Sequence, residues 1–205
     1  LIGAFLGVES PLTVTQMLWV NLIMDTFAAL ALASLPPSKR VMDDKPRPRG
    51  ANIISRDMAK GIFGVGGFFV LLLFGFIQYF KNEDITSLTQ FSVVDYCKHF
   101  FHFGAPEGSL SGYELSMFFS IFVFLQFWNM FNAKAYRTGK SAFSHIGQSS
   151  GFLGIAAVIV IGQVLITTLG GQMFNVTPLQ LIDWAIIIGG TSLVLWIGEI
   201  RRAIK

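Results

Sequence analysis

Long apolar runs separated by short polar stretches dominate the chain. Five of these runs approach the roughly 20 residues that a membrane-spanning helix needs, and they cover residues 12–35, 61–80, 113–133, 151–169 and 179–197. Residues 1–8 are also apolar, and a polar turn follows them. We therefore interpret residues 1–10 as the end of a preceding helix with its outer turn. The pattern predicts an all-α membrane protein, a bundle of about five transmembrane helices plus the end of an earlier one.

Local signals refine the helix ends. Ser10 followed by Pro11 is typical of a helix start, since serine can cap the first amides and proline suits the first helical position. Ser55 is the predicted cap of the second span. Three glycines at three-residue spacing are expected to let a neighbouring helix approach the second span closely: Gly61, Gly64 and Gly67.

Composition agrees with a membrane protein. Hydrophobic residues make up 53% of the chain, charged residues 13%, and the mean hydropathy is +0.60. The net charge of +3 does not indicate nucleic-acid binding, because the basic residues lie in short connections between apolar runs. The single cysteine excludes an internal disulfide.

Loop charge predicts how the chain crosses the membrane. Lysine and arginine concentrate in residues 36–60, residues 134–150 and the carboxy-terminal tail, whereas the long connection at 81–112 is mainly acidic. By the positive-inside rule, the three basic regions are predicted to be cytoplasmic. The chain is then a multi-pass integral membrane protein in contact with the lipid bilayer.

The first span contains Asn21 and Asp25 near its middle, and their four-residue spacing places them on one helical face. A carboxylate at that depth costs about 2.5–3.5 kcal/mol on insertion scales, so it usually marks an ion path. We interpret the two residues as metal ligands for a transported cation. The alternative is a polar pair that holds helices together.

Asn21 and Asp25 cannot form a complete site by themselves. Calcium prefers about six to eight oxygen ligands, and this pair supplies at most three oxygens. Gln126 and Asn129 in the third span are possible lesser contributors. The other amides in the spans are Asn132 and Gln163, and Gln163 is more typical of helix packing than of a ligand. A second carboxylate is therefore expected on helices outside this chain.

Several motifs resemble one family. Residues Trp19–Pro37 read WVNLIMDTFAALALASLPP, and this stretch resembles the sixth transmembrane helix of P-type calcium-transporting ATPases, especially the plasma-membrane-type branch. Residues 43–47 resemble the loop after that helix, and residues 126–134 resemble the eighth helix of the same branch. Gly170 and Gly171 resemble the start of the turn into the tenth helix. The likeness identifies residues 11–205 as the carboxy-terminal transmembrane domain of such a pump.

The resemblance implies roles for particular residues. Asn21 and Asp25 match the pair that binds the transported Ca²⁺. The first span is also expected to unwind near Asn21 to Asp25, which would free carbonyls toward the ion. Met24 and Gln126 stand where the sarcoplasmic-reticulum-type pumps have a threonine and a glutamate ligand, so one calcium site per pump is expected rather than two. The parent protein is expected to be an enzyme whose ATP and Mg²⁺ bind outside this chain. No catalytic residue is expected here, and this part alone should be inactive.

The resemblance also implies partners. These are the other membrane helices and the phosphorylation domain of the same polypeptide, and the loop Ser38–Lys60 is expected to couple that domain to the membrane. Other readings stay open: a pump for another cation such as Mn²⁺ or H⁺, a channel or carrier, or a non-catalytic membrane-anchor subunit. The loop could also serve only to set topology.

Two polar features lie away from the first span. Four potential metal ligands fall within eight residues of the long connection, and they could bind zinc or copper: Asp95, Cys97, His99 and His102. The alternative that we favour is an amphipathic segment at the lipid headgroups, within the aromatic stretch from Phe91 to Phe103. Asp183 is expected at the outer membrane interface, without a chemical role.

Overall fold

A computed structural model describes residues 12–35, 50, 52, 54–101, 110–136, 138 and 140–204, without the side chains of residues 24, 25 and 148. The regular elements in these residues are helices. They are α1 (Val14–Asn21), a π-helical segment (Leu22–Ala28), α2 (Ala29–Ala33), α3 (Arg56–Asn82), α4 (Val93–His99), α5 (Gly112–Lys134), α6 (Ser150–Leu169), α7 (Gly171–Phe174), α8 (Leu181–Thr191) and α9 (Leu193–Ala203), with 3₁₀ turns at Leu88–Gln90 and Ile146–Gln148.

Five helical segments are long and apolar enough to cross a membrane: Val14–Ala33, Arg56–Asn82, Gly112–Lys134, Ser150–Leu169 and Leu181–Ala203. This result confirms the predicted all-α membrane class and the five predicted spans. The second span begins five residues earlier than predicted and the last ends six residues later. The reason is that helical hydrogen bonding continues into polar end turns that lie beyond the apolar run.

Capping interactions fix the helix starts. The Ser55 side chain accepts a hydrogen bond from the Met58 amide at 3.2 Å, as the sequence predicted for α3. Thr13 caps α1 in a reciprocal arrangement, in which its hydroxyl accepts from the Gln16 amide and the Gln16 side chain accepts from the Thr13 amide. The first span therefore begins at Val14, and the predicted start at residues 10 and 11 lies outside the described residues.

Helix α5 is the centre of the bundle. It contacts α2, α3, α6, α8 and α9, and it is buried around most of its circumference. Large aromatic side chains fill the space between these helices. The Phe124 ring, for example, lies 5.8 Å from the Phe127 ring and 6.1 Å from the Trp184 ring in edge-on geometry.

The close helix contacts do not occur at the predicted glycine stripe. A Cβ placed at any of its three members, Gly61, Gly64 and Gly67, would meet nothing within 4 Å. Helix α3 packs instead through its carboxyl half, where its buried residues begin at Phe69. The close approaches lie at Gly75, where a Cβ would overlap the Tyr96 hydroxyl, and at Gly198, where it would overlap the Asn132 side chain.

A polar network joins the last helix to the connection between α5 and α6. Lys134 donates from Nζ to the carbonyls of Ala142 and Ser144 at 2.9 and 2.8 Å. Glu199 on α9 accepts from the Ala142 amide at 2.7 Å and from Arg202 at 2.6 Å. Arg202 also donates to the Asn132 side chain on α5 at 3.0 Å. The α5–α6 connection, α5 and α9 are therefore bound together at one end of the bundle.

Candidate cation-binding segment

The first span changes its helical type at the predicted ligands. The α-helix ends at Asn21, residues Leu22–Ala28 form a π-helix, and α-helical geometry resumes at Ala29. Our sequence interpretation favours unwound backbone around residues 21–25. The prediction of unwinding was wrong, because the segment stays helical. The departure from α-helical geometry nevertheless lies at the expected place.

A π-helical insertion changes the supply of backbone oxygens. An α-helix pairs each amide with the carbonyl four residues earlier, and a π-helix pairs it with the carbonyl five residues earlier. Where the pairing returns from five to four, one carbonyl of the ladder is passed over. Such insertions are frequent at functional sites, and irregular backbone at membrane depth requires a protein or aqueous environment. The segment can therefore offer main-chain oxygen in addition to side-chain oxygen.

The predicted side-chain ligands occupy different positions. Asn21 is exposed at the end of α1, and Asp25 lies inside the π-helix, where the structure describes its backbone alone. Gln126 and Asn129 are half-buried on α5. No hydrogen bond joins Asn21, Gln126 and Asn129 to one another among the described contacts. Helix α5 contacts the first span through α2, whereas the π-helix packs against α6.

Three other acids in the described spans already have hydrogen-bond donors. Glu114 accepts from the amides of Ile85 and Ser111 at 3.2 and 2.8 Å. Glu199 belongs to the network at the end of α9. Asp183 is the most enclosed of the three, with an exposed fraction of 0%. These hydrogen bonds connect the three acids to packing within the bundle and not to the π-helical segment.

Asp183 has a structural role that the sequence prediction missed. Its Oδ1 accepts from the Ser87 hydroxyl at 2.7 Å and the Leu88 amide at 2.8 Å, and its Oδ2 accepts from the Tyr113 hydroxyl. The carboxylate thus joins the long connection, α5 and α8. The sequence analysis expected an interfacial residue without a chemical role and did not identify these partners, because they are distant in sequence. The local sequence places Asp183 in the first turn of a helix. That position favours an acid because of the helix dipole, and it gives no information about distant partners.

Gln163 acts as a packing residue, as predicted. It is fully buried on α6, its Oε1 accepts from the Trp19 indole N–H at 3.0 Å, and its Nε2 donates to Thr167 at 3.2 Å. Nearby, Gln16 donates from Nε2 to the Phe174 carbonyl at 2.8 Å. These bonds hold the first span against α6 and α7, next to the π-helical segment.

The possible zinc or copper cluster does not form among the described residues, where no group of three metal-ligating side chains comes together. Asp95 binds Lys98 at 2.8 Å, and His99 lies 3.1 Å from Glu83. His102 lies outside the described residues. Lys98, together with the Ser92 hydroxyl, lowers the pKa of Asp95, and Asp95 in turn raises the pKa of Lys98.

Comparison with known proteins gives the family. The family model described as "Cation transporting ATPase, C-terminus" matches residues 9–204. The chain is 35% identical over 203 residues to human plasma membrane calcium-transporting ATPase 4, covering 98% of the chain. It is 34% identical over 182 residues to plasma membrane calcium-transporting ATPase 2 of Oreochromis mossambicus, covering 89% of the chain. It is 31% identical over 189 residues to calcium-transporting ATPase PAT1 of Dictyostelium discoideum, covering 90%.

The matches cover nearly all of this chain but only a small part of each relative. The chain spans about 15% of the length of the human and Oreochromis relatives and 16% of the Dictyostelium relative. Within this chain, however, the family model extends from residue 9 to residue 204 of 205. The chain belongs to the cation-transporting ATPase family and corresponds to its carboxy-terminal membrane region.

Proposed function

We propose that this chain forms part of the membrane domain of an ATP-driven calcium pump and supplies ligands to its transport site. Asn21 and Asp25 are the ligands, and the π-helical backbone at 22–28 provides further oxygen. Gln126 and Asn129 contribute at most at longer range from α5. The single observation that carries the proposal is the π-helix, which starts directly after Asn21 and includes Asp25 in a chain of this family.

Charge balance supports a shared site. A divalent cation in a low-dielectric interior needs more than one carboxylate close to it, since the attraction between charges is many times stronger there than in water. Asp25 supplies one charge, and Glu114, Asp183 and Glu199 already accept hydrogen bonds elsewhere. The second carboxylate therefore comes from another membrane helix of the same polypeptide. The π-helical segment provides the half of the site that faces that helix.

The transported cation is calcium in this proposal, because all three relatives described above are calcium-transporting ATPases. We further propose one calcium per pump. Met24 and Gln126 stand at two positions where a second site would need additional oxygen or charge, and neither side chain carries a carboxylate. Two calcium ions bound per phosphorylated pump would contradict this stoichiometry.

The remaining machinery lies outside this chain. ATP and Mg²⁺ would be bound by other domains of the pump, and an aspartyl-phosphate cycle there would drive export from the cytoplasm. The basic loops at 36–60 and 134–150 and the carboxy terminus would face the cytoplasm, where residues 38–60 couple the phosphorylation domain to the first span. Accessibility of cysteines introduced into each loop, probed from the two sides of sealed vesicles, tests this orientation.

The decisive experiment is Asp25→Asn in the intact pump. The substitution keeps the shape of the side chain and removes its charge. We expect calcium-dependent phosphorylation by ATP to fall by at least 100-fold, because about 3 kcal/mol of ion interaction is lost from a partly desolvated site. Phosphorylation from inorganic phosphate, which needs no bound calcium, should persist and shows that the protein is folded.

Asp183→Asn is the matched control, because it makes the same chemical change at an acid engaged in packing. It should lower thermal stability and leave the calcium concentration for half-maximal phosphorylation unchanged. Normal calcium dependence in Asp25→Asn would exclude the transport-site proposal and favour a membrane-anchor role. If phosphorylation of the unmodified pump depended on Mn²⁺ or H⁺ and not on Ca²⁺, that cation would replace calcium as the proposed transported ion.

A further inference from the structure

The short helix α4 in the long connection has two kinds of apolar surface. Its side chains Tyr96 and Phe100 pack onto α3, where the Tyr96 ring lies 5.2 Å from Phe76 and the Phe100 ring lies 5.9 Å from Phe74. Its other large apolar side chains are exposed: Val93 at 65%, Val94 at 64% and, just after the helix, Phe101 at 74%. The exposed group needs an explanation that packing within the chain does not provide.

Contacts with α3 fix how far α4 lies along the span. The Tyr96 hydroxyl donates to the Leu72 carbonyl at 2.8 Å, and its ring fits against Gly75. Leu72 lies eight residues before the end of the apolar run at residue 80, which corresponds to about 12 Å along a helix. His99, in contrast, lies 3.1 Å from Glu83, beyond the end of that run. The helix therefore lies at the level where the span leaves the hydrocarbon.

The apolar and polar residues of α4 occupy two separate arcs around the helix. At about 100° per residue, the apolar positions follow one another around the helix as Tyr96, Phe100, Val93, Cys97, Phe101 and Val94. The remaining arc is polar and carries Lys98, Asp95 and His99. The polar arc meets Glu83 at the outer end of α3, and Tyr96 reaches toward the middle of the span. With these two directions fixed, the exposed apolar arc faces away from α3 and toward the membrane.

Burial of Tyr96 agrees with this position. Removal from water raises its pKa to about 12. On the polar arc, Asp95 and Lys98 pair with each other at 2.8 Å, so the helix presents no unpaired charge there. Helix α3 also has exposed apolar side chains, among them Leu71 at 58% exposure and Phe68 at 48%.

We propose that α4 is an interfacial helix whose exposed apolar arc inserts into the membrane leaflet at the carboxyl end of α3. Its occupant is the acyl-chain region of the lipid, and Val93, Val94 and Phe101 are the inserted side chains. Such helices bury their apolar face about 5–10 Å into the boundary between headgroups and acyl chains, which matches the depth given by Leu72 and Glu83. Gly75 provides the space on α3 that Tyr96 needs.

Depth measurement by spin labelling tests the proposal. The full-length protein that carries this chain is used, with Cys97→Ser and with any other cysteine replaced. A nitroxide is attached through Val93→Cys on the apolar arc or, as control, through Lys98→Cys on the polar arc, about 140° away around the same helix. Both positions are exposed, so neither label disturbs packing. The protein is reconstituted in phosphatidylcholine vesicles, and collision with oxygen, which enters lipid, is compared with collision with a water-soluble nickel chelate.

We expect oxygen collision to exceed nickel collision several-fold at Val93 and the reverse at Lys98. Nickel collision that dominates at both positions would place the arc in water and overturn the proposal. Protection from both reagents at Val93 would mean that another helix of the same polypeptide, a second copy or another protein covers the arc, and this result would overturn it as well. The readout does not depend on calcium binding, so it is independent of the transport proposal.

A second comparison tests the glycine that seats α4. Gly75→Leu removes the space for Tyr96 and should lower oxygen collision at the Val93 label at least two-fold, because α4 can no longer hold its depth. Gly66→Leu is the matched control in the same helix, since a Cβ there meets nothing within 4 Å. Equal values in the two variants would contradict the seating role, and the label pair above decides insertion even where Gly75→Leu prevents folding.

Discussion

Helix α5 and the first span contain similar amounts of apolar sequence but are packed very differently. In the most apolar part of α5, 72% of the residues are buried, against 25% in the first span. Phe119 and Met117 on α5 have an exposed fraction of 0%, whereas Val14 and Leu18 on the first span have 76% and 63%. Helix α5 is therefore packed against other helices of this chain, whereas most residues of the first span are not buried by the described residues.

This difference in packing indicates different roles for the two helices. Helix α5 holds the bundle together through aromatic packing and through contacts with five other helices. The first span makes fewer such contacts, yet it carries Asn21, Asp25 and the π-helix. Its polar bonds, from Gln16 and Trp19, lie on the side toward α6 and α7. The exposed side, which includes Asn21, is therefore the side that other helices of the proposed pump would contact.

The largest expected effect is the difference in stability loss between truncating a buried side chain and truncating an exposed one. Phe124→Ala on α5 should lower the free energy of unfolding in detergent micelles by about 3 kcal/mol, since it removes a packed aromatic ring. Leu22→Ala in the first span should cost less than about 1 kcal/mol, because that side chain is 44% exposed. Similar losses from the two variants would remove the distinction between the two helices.

A smaller effect is expected from adding volume. Gly198→Val in α9 places methyl groups where Asn132 of α5 now lies, and overpacking of this kind costs about 1–3 kcal/mol. Gly154→Val in α6 makes the same change where a Cβ meets nothing within 4 Å. Thermal unfolding of the two variants in the same detergent measures the difference. A lower melting temperature for Gly154→Val than for Gly198→Val would contradict the close approach at α5.

The smallest effect concerns a hydrogen bond of the first span. Trp19→Phe keeps an aromatic ring and deletes the indole N–H that donates to Gln163. Hydrogen bonds between membrane helices average about 0.6 kcal/mol, so the loss should be close to that value. Trp196→Phe, at a residue that is 52% exposed, is the control and should change stability less. If chemical unfolding shows no difference between them, this bond does not hold the first span in place.

Sequence patterns predicted the features that depend on local chemistry. The five spans follow from apolar runs, and the cap at Ser55 follows from residue type. Irregular backbone was also expected near Asn21 to Asp25, and the π-helix lies at residues 22–28. The π-helical form was not expected, because the choice between unwinding and an added residue per turn depends on what packs beside the helix.

Features that depend on distant contacts escaped prediction. The three hydrogen-bond partners of Asp183 lie 70 to 96 residues earlier in the chain, and no local pattern relates them. The glycine stripe at 61–67 resembles a packing surface, but the helices that contact α3 lie on its carboxyl half. Glycine spacing indicates that a close approach is possible, whereas the position of the neighbouring helix decides where it occurs.

The network at Glu199 and Arg202 has a mechanical consequence. Tension applied at the end of α9 passes through Glu199 into the turn at Ala142 and through Arg202 into Asn132. Separation of α9 from the bundle would therefore have to break the bonds of Glu199 and Arg202 together. A pull on α9 would reach α5 directly through the bond between Arg202 and Asn132.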